Sequence, residues 1–267
     1  MPARPPSARP QSARQHSARP LISAHRGGRE AAPPGRYEAY QAALEAGADY
    51  LEFDVRGLSD GTLVAYHHAQ VRASGVGHRS LQRSLPVADL SYSELCELAG
   101  YRVPSTADLL RLIAAGRRRA HIDLKVSACA DGIVAQALAT LEPDAMVVTT
   151  RDLMAAGQLR QRHPAVPVGV AAGGDLTESA RYLRERVRAP AGLSRLAGIS
   201  AAGAAWAVVH RRLARPGLLA ECRHLGLSVM VWTVNSEPEL HRMLTSSDVD
   251  VVVTDRPGRA IRLRDGS

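Results

Sequence analysis

Aromatic residues are scarce in this 267-residue chain, at 4% with a single phenylalanine. Lysine is scarcer still: of 34 basic residues, all but Lys125 are arginine. The three cysteines, Cys96, Cys129 and Cys222, are odd in number and scattered, without a C-x-x-C spacing. That excludes a disulfide framework and a thiolate zinc site. No apolar run approaches the roughly 18 residues of a membrane span. The basic N-terminus lacks the apolar stretch of a secretory signal, so the expected location is cytoplasmic. The body has no basic stripe interleaved with aromatics, and no nucleic acid is expected as a partner.

What remains is ordinary globular material, 45% hydrophobic and 22% charged, enough to bury a core without cross-links. The net charge is +8, and half of it comes from Arg4, Arg9, Arg14 and Arg19 in the acid-free first 20 residues. Pro2, Pro5, Pro6, Pro10 and Pro20 break any helix there, and S-A-R recurs at Ser7, Ser12 and Ser17. Residues 1–20 read as a disordered Arg/Pro/Ser tail. The functional alternative is electrostatic attachment to an acidic polymer or lipid.

From residue 21 onward, short β-rich runs alternate with helical patterns. Strands are expected at 21–27, 50–55, 121–126, 145–150, 167–172, 197–202, 228–235 and 250–255, with a hairpin arm at 62–68. Helices are expected at 36–46, 91–98, 106–115, 130–141, 152–162, 176–188, 211–224 and 237–247. Ser105 can cap one of them, and Ser236 with Glu239 spells a capping box for another. Eight strands separated by crossovers imply a parallel sheet closed as a (β/α)8 TIM barrel occupying residues 21–267, with residues 69–104 as an insertion.

Such barrels carry their sites at the C-terminal ends of the strands. His25-Arg26-Gly27, Glu52 and Asp54, His67 and His68, Asp123 and Lys125, and Trp232 with Asn235 all fall there. Residues i and i+2 of a strand share a face, so Glu52 projects with Asp54 and Asp123 with Lys125. Three converging carboxylates repel unless a cation lies between them. Oxygen ligands without cysteine favour Mg2+ or Ca2+. Two histidines beside such a site suit a general acid and a general base. Arg26 and Lys125 suit a phosphate, Arg as a fork and Lys as a compact charge. Together these groups fit phosphodiester cleavage better than sugar chemistry. The other histidines (His16, His78, His121, His163, His210, His224 and His241) have no comparable context.

AHRG at 24–27, EAGADYLEFDV at 45–55, DGTLVAYHH at 60–68, DLK at 123–125, VWTVN at 231–235 and VVTDRP at 252–257 together resemble the glycerophosphodiester phosphodiesterases. The resemblance runs in order through nearly the whole body. It implies a TIM barrel with a small insertion after the second strand, which residues 57–104 fit. It implies His25 and His67 as the catalytic pair, and Glu52, Asp54 and Asp123 as ligands of a divalent metal. Arg26 and Lys125 would contact phosphate, and Trp232 would line the pocket. The reaction implied is attack of the neighbouring glycerol hydroxyl on phosphorus, with one histidine as base and the other as acid. Glycerol 3-phosphate and an alcohol are the products.

The chain departs from the family at three places, one of them Asp123, where the family more commonly has Glu. The family's P-E-N-T after H-R-G is here Pro33-Pro34-Gly35-Arg36, leaving Glu30 as the nearest acid to stand in. The family's H-D is His67-His68. The sphingomyelinase D-type phospholipases share E-x-D and D-x-K without P-E-N-T. The substrate is therefore expected to be a small-molecule glycerophosphodiester or lysophospholipid. The alternatives are a lysophospholipase D or sphingomyelinase D-like enzyme, and an inactive barrel that binds phosphodiesters.

Overall fold

The computed structural model describes residues 19–73, 83–172 and 192–266. Nearly all of the N-terminal tail and the helix expected at 176–188 lie outside the described residues.

Eight parallel strands close on themselves: β1 (Leu21–His25), β2 (Tyr50–Gly57), then the strands Arg119–Leu124, Met146–Thr150, Val168–Ala172, Trp206–His210, Ser228–Trp232 and Val251–Thr254. Within the second crossover lie β3 (Leu63–Ala65), antiparallel to β2, and the ribbon β4 (Gln70–Ala73) with β5 (Arg83–Pro86). The remaining barrel strands are thus β6 to β11, and pairing of β1 with both β2 and β11 closes the barrel. Around it run α1 (Tyr37–Glu45), α3 (Thr106–Ala115), α4 (Ala130–Leu138), α5 (Leu153–Arg162), α6 (Gly192–Ala201), α7 (Pro216–His224), α8 (Glu237–Leu244) and α9 (Pro257–Asp265). The insertion adds α2 (Tyr92–Ala99). This is the expected (β/α)8 barrel with an insertion after its second strand.

Local chemistry explains the element boundaries. MVVTT, VGVAA and VVVT are buried at every position, as strands with sheet on both sides and covered faces must be. The Ser105 hydroxyl accepts from the Asp108 N–H and caps α3, a contribution of about 1 kcal/mol. Ser91 and Glu94 form a full capping box on α2. Pro216, Glu237-Pro238 and Pro257 open α7, α8 and α9, where a missing N–H costs nothing.

Several expectations are corrected. Of the strand expected at 197–202, residues 197–201 belong to α6, and the sixth barrel strand is β9 at Trp206–His210. The stretch AGISAAGAA is built of small residues and reads with either period. The buried pair Leu196 and Ile199 resolves it as helix, and Gly203 at φ +73° ends it. The box at Ser236 does not form: its hydroxyl donates to the Glu239 carboxylate, which is also paired with Arg211. The helix expected from 211 begins at Pro216, and α9 was not anticipated. Only Leu63–Ala65 of the hairpin arm is strand, so His67 and His68 sit on the loop beyond it.

The core has three parts. The largest lies between barrel and helices, with Ile22, Phe53, Ile122, Ile133 and Val231 fully buried. The insertion packs its own cluster of Leu58, Val64, Val71, Val87, Leu95 and Val103. Inside the barrel, Tyr50, Val147, Val208, Met230, Val251 and Val253 form an apolar floor. Above it runs a polar chain. With Asp123 ionised, the Thr149 hydroxyl donates to it (3.0 Å) and accepts from His121 Nε2 (3.2 Å), while Ser23 donates to His121 Nδ1 (3.1 Å). Among the described residues, no helix is long and apolar enough to cross a membrane.

Burial pushes His121 down to about 4, so it stays neutral in the fold. The unfolded chain therefore takes the proton first. Stability is full above pH 6.5 and falls by about 1.4 kcal/mol per unit as pH drops towards the folded value. Denaturant titrations of wild type and His121→Asn should show their stability difference shrinking by about 2 kcal/mol between pH 6.5 and 5. A constant difference would contradict a neutral, buried His121.

Candidate active site

Strand alternation decides which side chains enter the barrel mouth. Counting upward in steps of two from the apolar floor gives His25 on β1, Glu52 and Asp54 on β2, and Asp123 and Lys125 on and just past β6. The same count gives Arg151 just past β7, His210 on β9, Trp232 on β10 and Asp255 just past β11. Register brings them level: His25 is opposite Glu52, Asp54 opposite Asp123, and His210 opposite Trp232.

The loop after β1 is held tightly. Gly27 has φ +76°, and a Cβ there would lie 2.7 Å from backbone atoms of Ala39 and Tyr40. The start of α1 therefore packs directly on the H-R-G turn, which only glycine permits. This closeness aims the Arg26 N–H at Glu52 Oε2, 2.7 Å away. The Arg26 Nε is buried and has no partner among the described residues.

Glu52, Asp54 and Asp123 each offer an oxygen within 4.8 Å of the others. The first two are 3% and 2% exposed. Lys125 Nζ bridges the aspartates, at 2.8 Å from Asp54 Oδ1 and hydrogen-bonded to Asp123 Oδ2. Burial opposes the Lys125 charge, but the two aspartates hold its pKa well above the usual lysine range. Burial likewise opposes the Asp54 charge, yet the His67 hydrogen bond and Lys125 keep that carboxyl far below its ordinary value. Glu52 is different: burial first, then the charge of Asp54, push it up to about 8. One more positive charge would let all three ionise together. Three converging oxygen donors with one uncompensated charge fit a hard divalent cation.

Each histidine is anchored by a carboxylate. His67 Nδ1 donates to Asp54 Oδ2 at 2.8 Å, and His25 Nδ1 donates to Asp255 Oδ1 at 2.7 Å. Because a carboxylate only accepts, Nδ1 carries a proton in both rings and Nε2 is left for proton exchange. Burial disfavours charge on His25, but Glu52 and the Asp255 hydrogen bond more than offset it and raise its pKa. Asn235 fixes Asp255, its amide donating to Oδ2 (2.7 Å) and its carbonyl accepting from the Asp255 N–H (2.9 Å).

The eight residues given catalytic, metal or substrate roles from the sequence thus stand at one end of the barrel: His25, Arg26, Glu52, Asp54, His67, Asp123, Lys125 and Trp232. Two expectations about neighbours are revised. Glu30 does not replace the missing motif glutamate; it accepts from the Gly258 and Arg259 N–H groups at the start of α9. His121 and His210, dismissed as without context, lie inside the barrel. Asp255 was missed as a histidine partner, although its place at the end of a strand was readable. Arg36, where the family motif ends, stacks on Tyr101 at 4.1 Å.

A closed barrel with buried acids, anchored histidines and cations at its mouth defines a phosphoric diester hydrolase when set beside known proteins. The chain matches the glycerophosphoryl diester phosphodiesterase family over residues 25–259 and belongs to it. The glycerophosphodiester phosphodiesterase GDPD4 of Arabidopsis thaliana is 29% identical over 89% of this chain and 71% of its own. The enzyme of Bacillus altitudinis is 25% identical over 91% and 98%. Among solved structures, a glycerophosphoryl diester phosphodiesterase from Silicibacter pomeroyi superposes with a TM-score of 0.76 at 25% identity, covering 92% of this chain and 93% of that one. An Oleispira antarctica phosphodiesterase, solved with the product sn-glycerol-3-phosphate, shares the fold at TM-score 0.71 and 17% identity, over 94% and 98%.

Asp255→Asn removes an anion but keeps the side chain's shape. Histidine NMR titration should show the His25 pKa falling by about one unit. An unchanged His25 titration would mean that Asp255 does not tune it.

Proposed function

We propose that the chain hydrolyses a glycerophosphodiester to glycerol 3-phosphate and an alcohol in a metal-dependent reaction, with His25 and His67 as the acid–base pair. The observation that carries this reading is the arrangement of two carboxylate-anchored histidines beside the Glu52–Asp54–Asp123 cluster. Glu52, Asp54 and Asp123 would hold Mg2+ or Ca2+. When bound, such an ion supplies positive charge to the phosphoryl oxygens as charge builds on them.

The chain's own groups do the rest. Arg26, with its buried unpartnered Nε, and Lys125 are assigned to the phosphate oxygens. One histidine takes the proton of the attacking glycerol hydroxyl at Nε2, and the other gives a proton to the departing alkoxide. The Nδ1–H bonds to Asp54 and Asp255 keep both rings in the required tautomer. Asp54 holds His67 and also belongs to the acid cluster, so proton transfer and metal binding share one side chain. Residues 21–267 form the catalytic unit in this reading, and residues 1–20 a tail.

A second reading is cleavage of a lysophospholipid. Val126 lines the groove between β6 and β7 and is 39% exposed, and Met154, two residues past the groove's Asp152, is 73% exposed. Open apolar side chains at a polar mouth suit an acyl chain.

The test is release of alcohol and phosphate ester from glycerophosphodiesters and lysophospholipids with Mg2+, Ca2+ or EDTA. Turnover should require metal and fall at least about 100-fold in Glu52→Gln. Turnover indifferent to EDTA, or retained in Glu52→Gln, would contradict the assignment. Preference for the lysophospholipids would favour the second reading.

A further inference from the structure

We propose that Arg56 is a positioning residue for His67: its guanidinium grips the His67 carbonyl and so sets where the ring's Nε2 stands. The proposal rests on the phosphodiesterase reading above and concerns only how one of the two histidines is aimed. Arg56 lies on β2 two residues beyond Asp54, half-buried at the rim of the barrel. Residues so spaced share a face of the strand.

The two histidines are held in different ways. His25 ends β1, stands in register with Glu52, and has a side chain 16% exposed. His67 lies beyond β3, and its side chain is 41% exposed. The β2–β3 pairing reaches Val55 opposite Ala65, and the Tyr66 N–H extends it by donating to the Asp54 carbonyl at 2.9 Å. His67 is the next residue, and there side chains of β2 take over. Asp54 Oδ2 accepts from His67 Nδ1 at 2.8 Å. Arg56 donates to the His67 carbonyl from Nε at 3.2 Å and from Nη2 at 3.0 Å. A carbonyl oxygen has two lone pairs, so one fork fills it. His68 adds an edge-on ring contact to His67, with centroids 5.1 Å apart and planes at 84°.

A ring tethered at Nδ1 alone can swing about that hydrogen bond and carry Nε2 with it. A second tether at the carbonyl removes this freedom, because it fixes the opposite end of the residue. Both tethers start from one strand, which is paired with β1, β3 and β6. The spacing between them is therefore that of the strand itself. Proton transfer needs the ring nitrogen within hydrogen-bond reach of the substrate oxygen. A misplacement of about 1 Å can cost roughly 100-fold in rate. The fork of Arg56 is directed at the protein's own backbone. That separates its role from that of Arg26, whose buried Nε has no partner among the described residues. What the position requires is reach and N–H donors; the charge is incidental.

The experiment compares Arg56→Gln with Arg56→Met in the full chain, with its activating metal. The substrate is whichever of glycerophosphocholine, glycerophosphoethanolamine and glycerophosphoglycerol wild type turns over fastest. Both variants lose the charge and keep a similar length. Only glutamine keeps a donor, its amide nitrogen lying as many bonds from Cα as the arginine Nε. Arg56→Met should lower kcat by about tenfold or more with KM held within about twofold. Arg56→Gln should keep kcat within about threefold of wild type. On the residual rate of His67→Ala, Arg56→Met should have no further effect, since the two act as one unit. An unchanged kcat in Arg56→Met would overturn the proposal. So would a raised KM at constant kcat, an Arg56→Gln loss as large as that of Arg56→Met, or an additive loss in His67→Ala. Each of these outcomes leaves the phosphodiesterase reading intact. Failure of wild type to turn over any diester with either metal would instead overturn that reading, and this inference with it. Should Arg56→Met fail to fold, Arg56→Ala takes its place; should His67→Ala leave no measurable rate, the comparison with Arg56→Gln decides by itself.

Discussion

Three carboxylates buried at one end of a barrel set the terms for everything around them. Water cannot screen Glu52 and Asp54, and like charges this close raise each other's pKa. The fold answers with cations and donors. Lys125 bridges the two aspartates, the Arg26 N–H reaches Glu52, and His67 and Thr149 supply further hydrogen bonds. One charge, that of Glu52, remains uncompensated. The lone lysine of an arginine-rich chain stands where a compact ammonium fits between two carboxylates. A planar guanidinium there would need a wider gap.

The rest of the mouth follows from that cluster. Asp54 serves both the acid cluster and His67, so the two cannot move independently. His25 has its own anchor in Asp255, which Asn235 holds by two hydrogen bonds. Asp123 is oriented from below by a polar chain reaching Ser23 through Thr149 and His121. The barrel interior is thus a graded column, with an apolar floor, a neutral polar layer and a charged rim. Electrostatic preorganisation of this kind needs rigid support, and fully paired strands provide it.

Much of this was legible in the residues. Period-two spacing put Glu52 with Asp54 and Asp123 with Lys125, and continuous apolar runs marked strands buried on both faces. The H-R-G triplet was placed at the end of the first strand, but the close approach of α1 that Gly27 permits showed only in the fold. Other features depended on contacts distant in sequence. Asp255 pairs with His25 across 230 residues, and no local pattern signals that. Glu30 was equally ambiguous, because a carboxylate near a missing acid and one capping α9 look alike in sequence. The sixth strand was misplaced because alanine and glycine carry little periodicity, and the error hid His210. Ser236 shows how a tertiary partner overrides a local motif: Arg211 competes for Glu239, and the box is lost.

The central claim is that Glu52, Asp54 and Asp123 form one binding site for a hard divalent cation. Mn2+ binding followed by electron paramagnetic resonance tests it without any substrate. Wild type should bind one high-affinity ion that Mg2+ or Ca2+ displaces, and Asp123→Asn should lose it. Absence of such an ion, or its survival in Asp123→Asn and Glu52→Gln, would contradict the account.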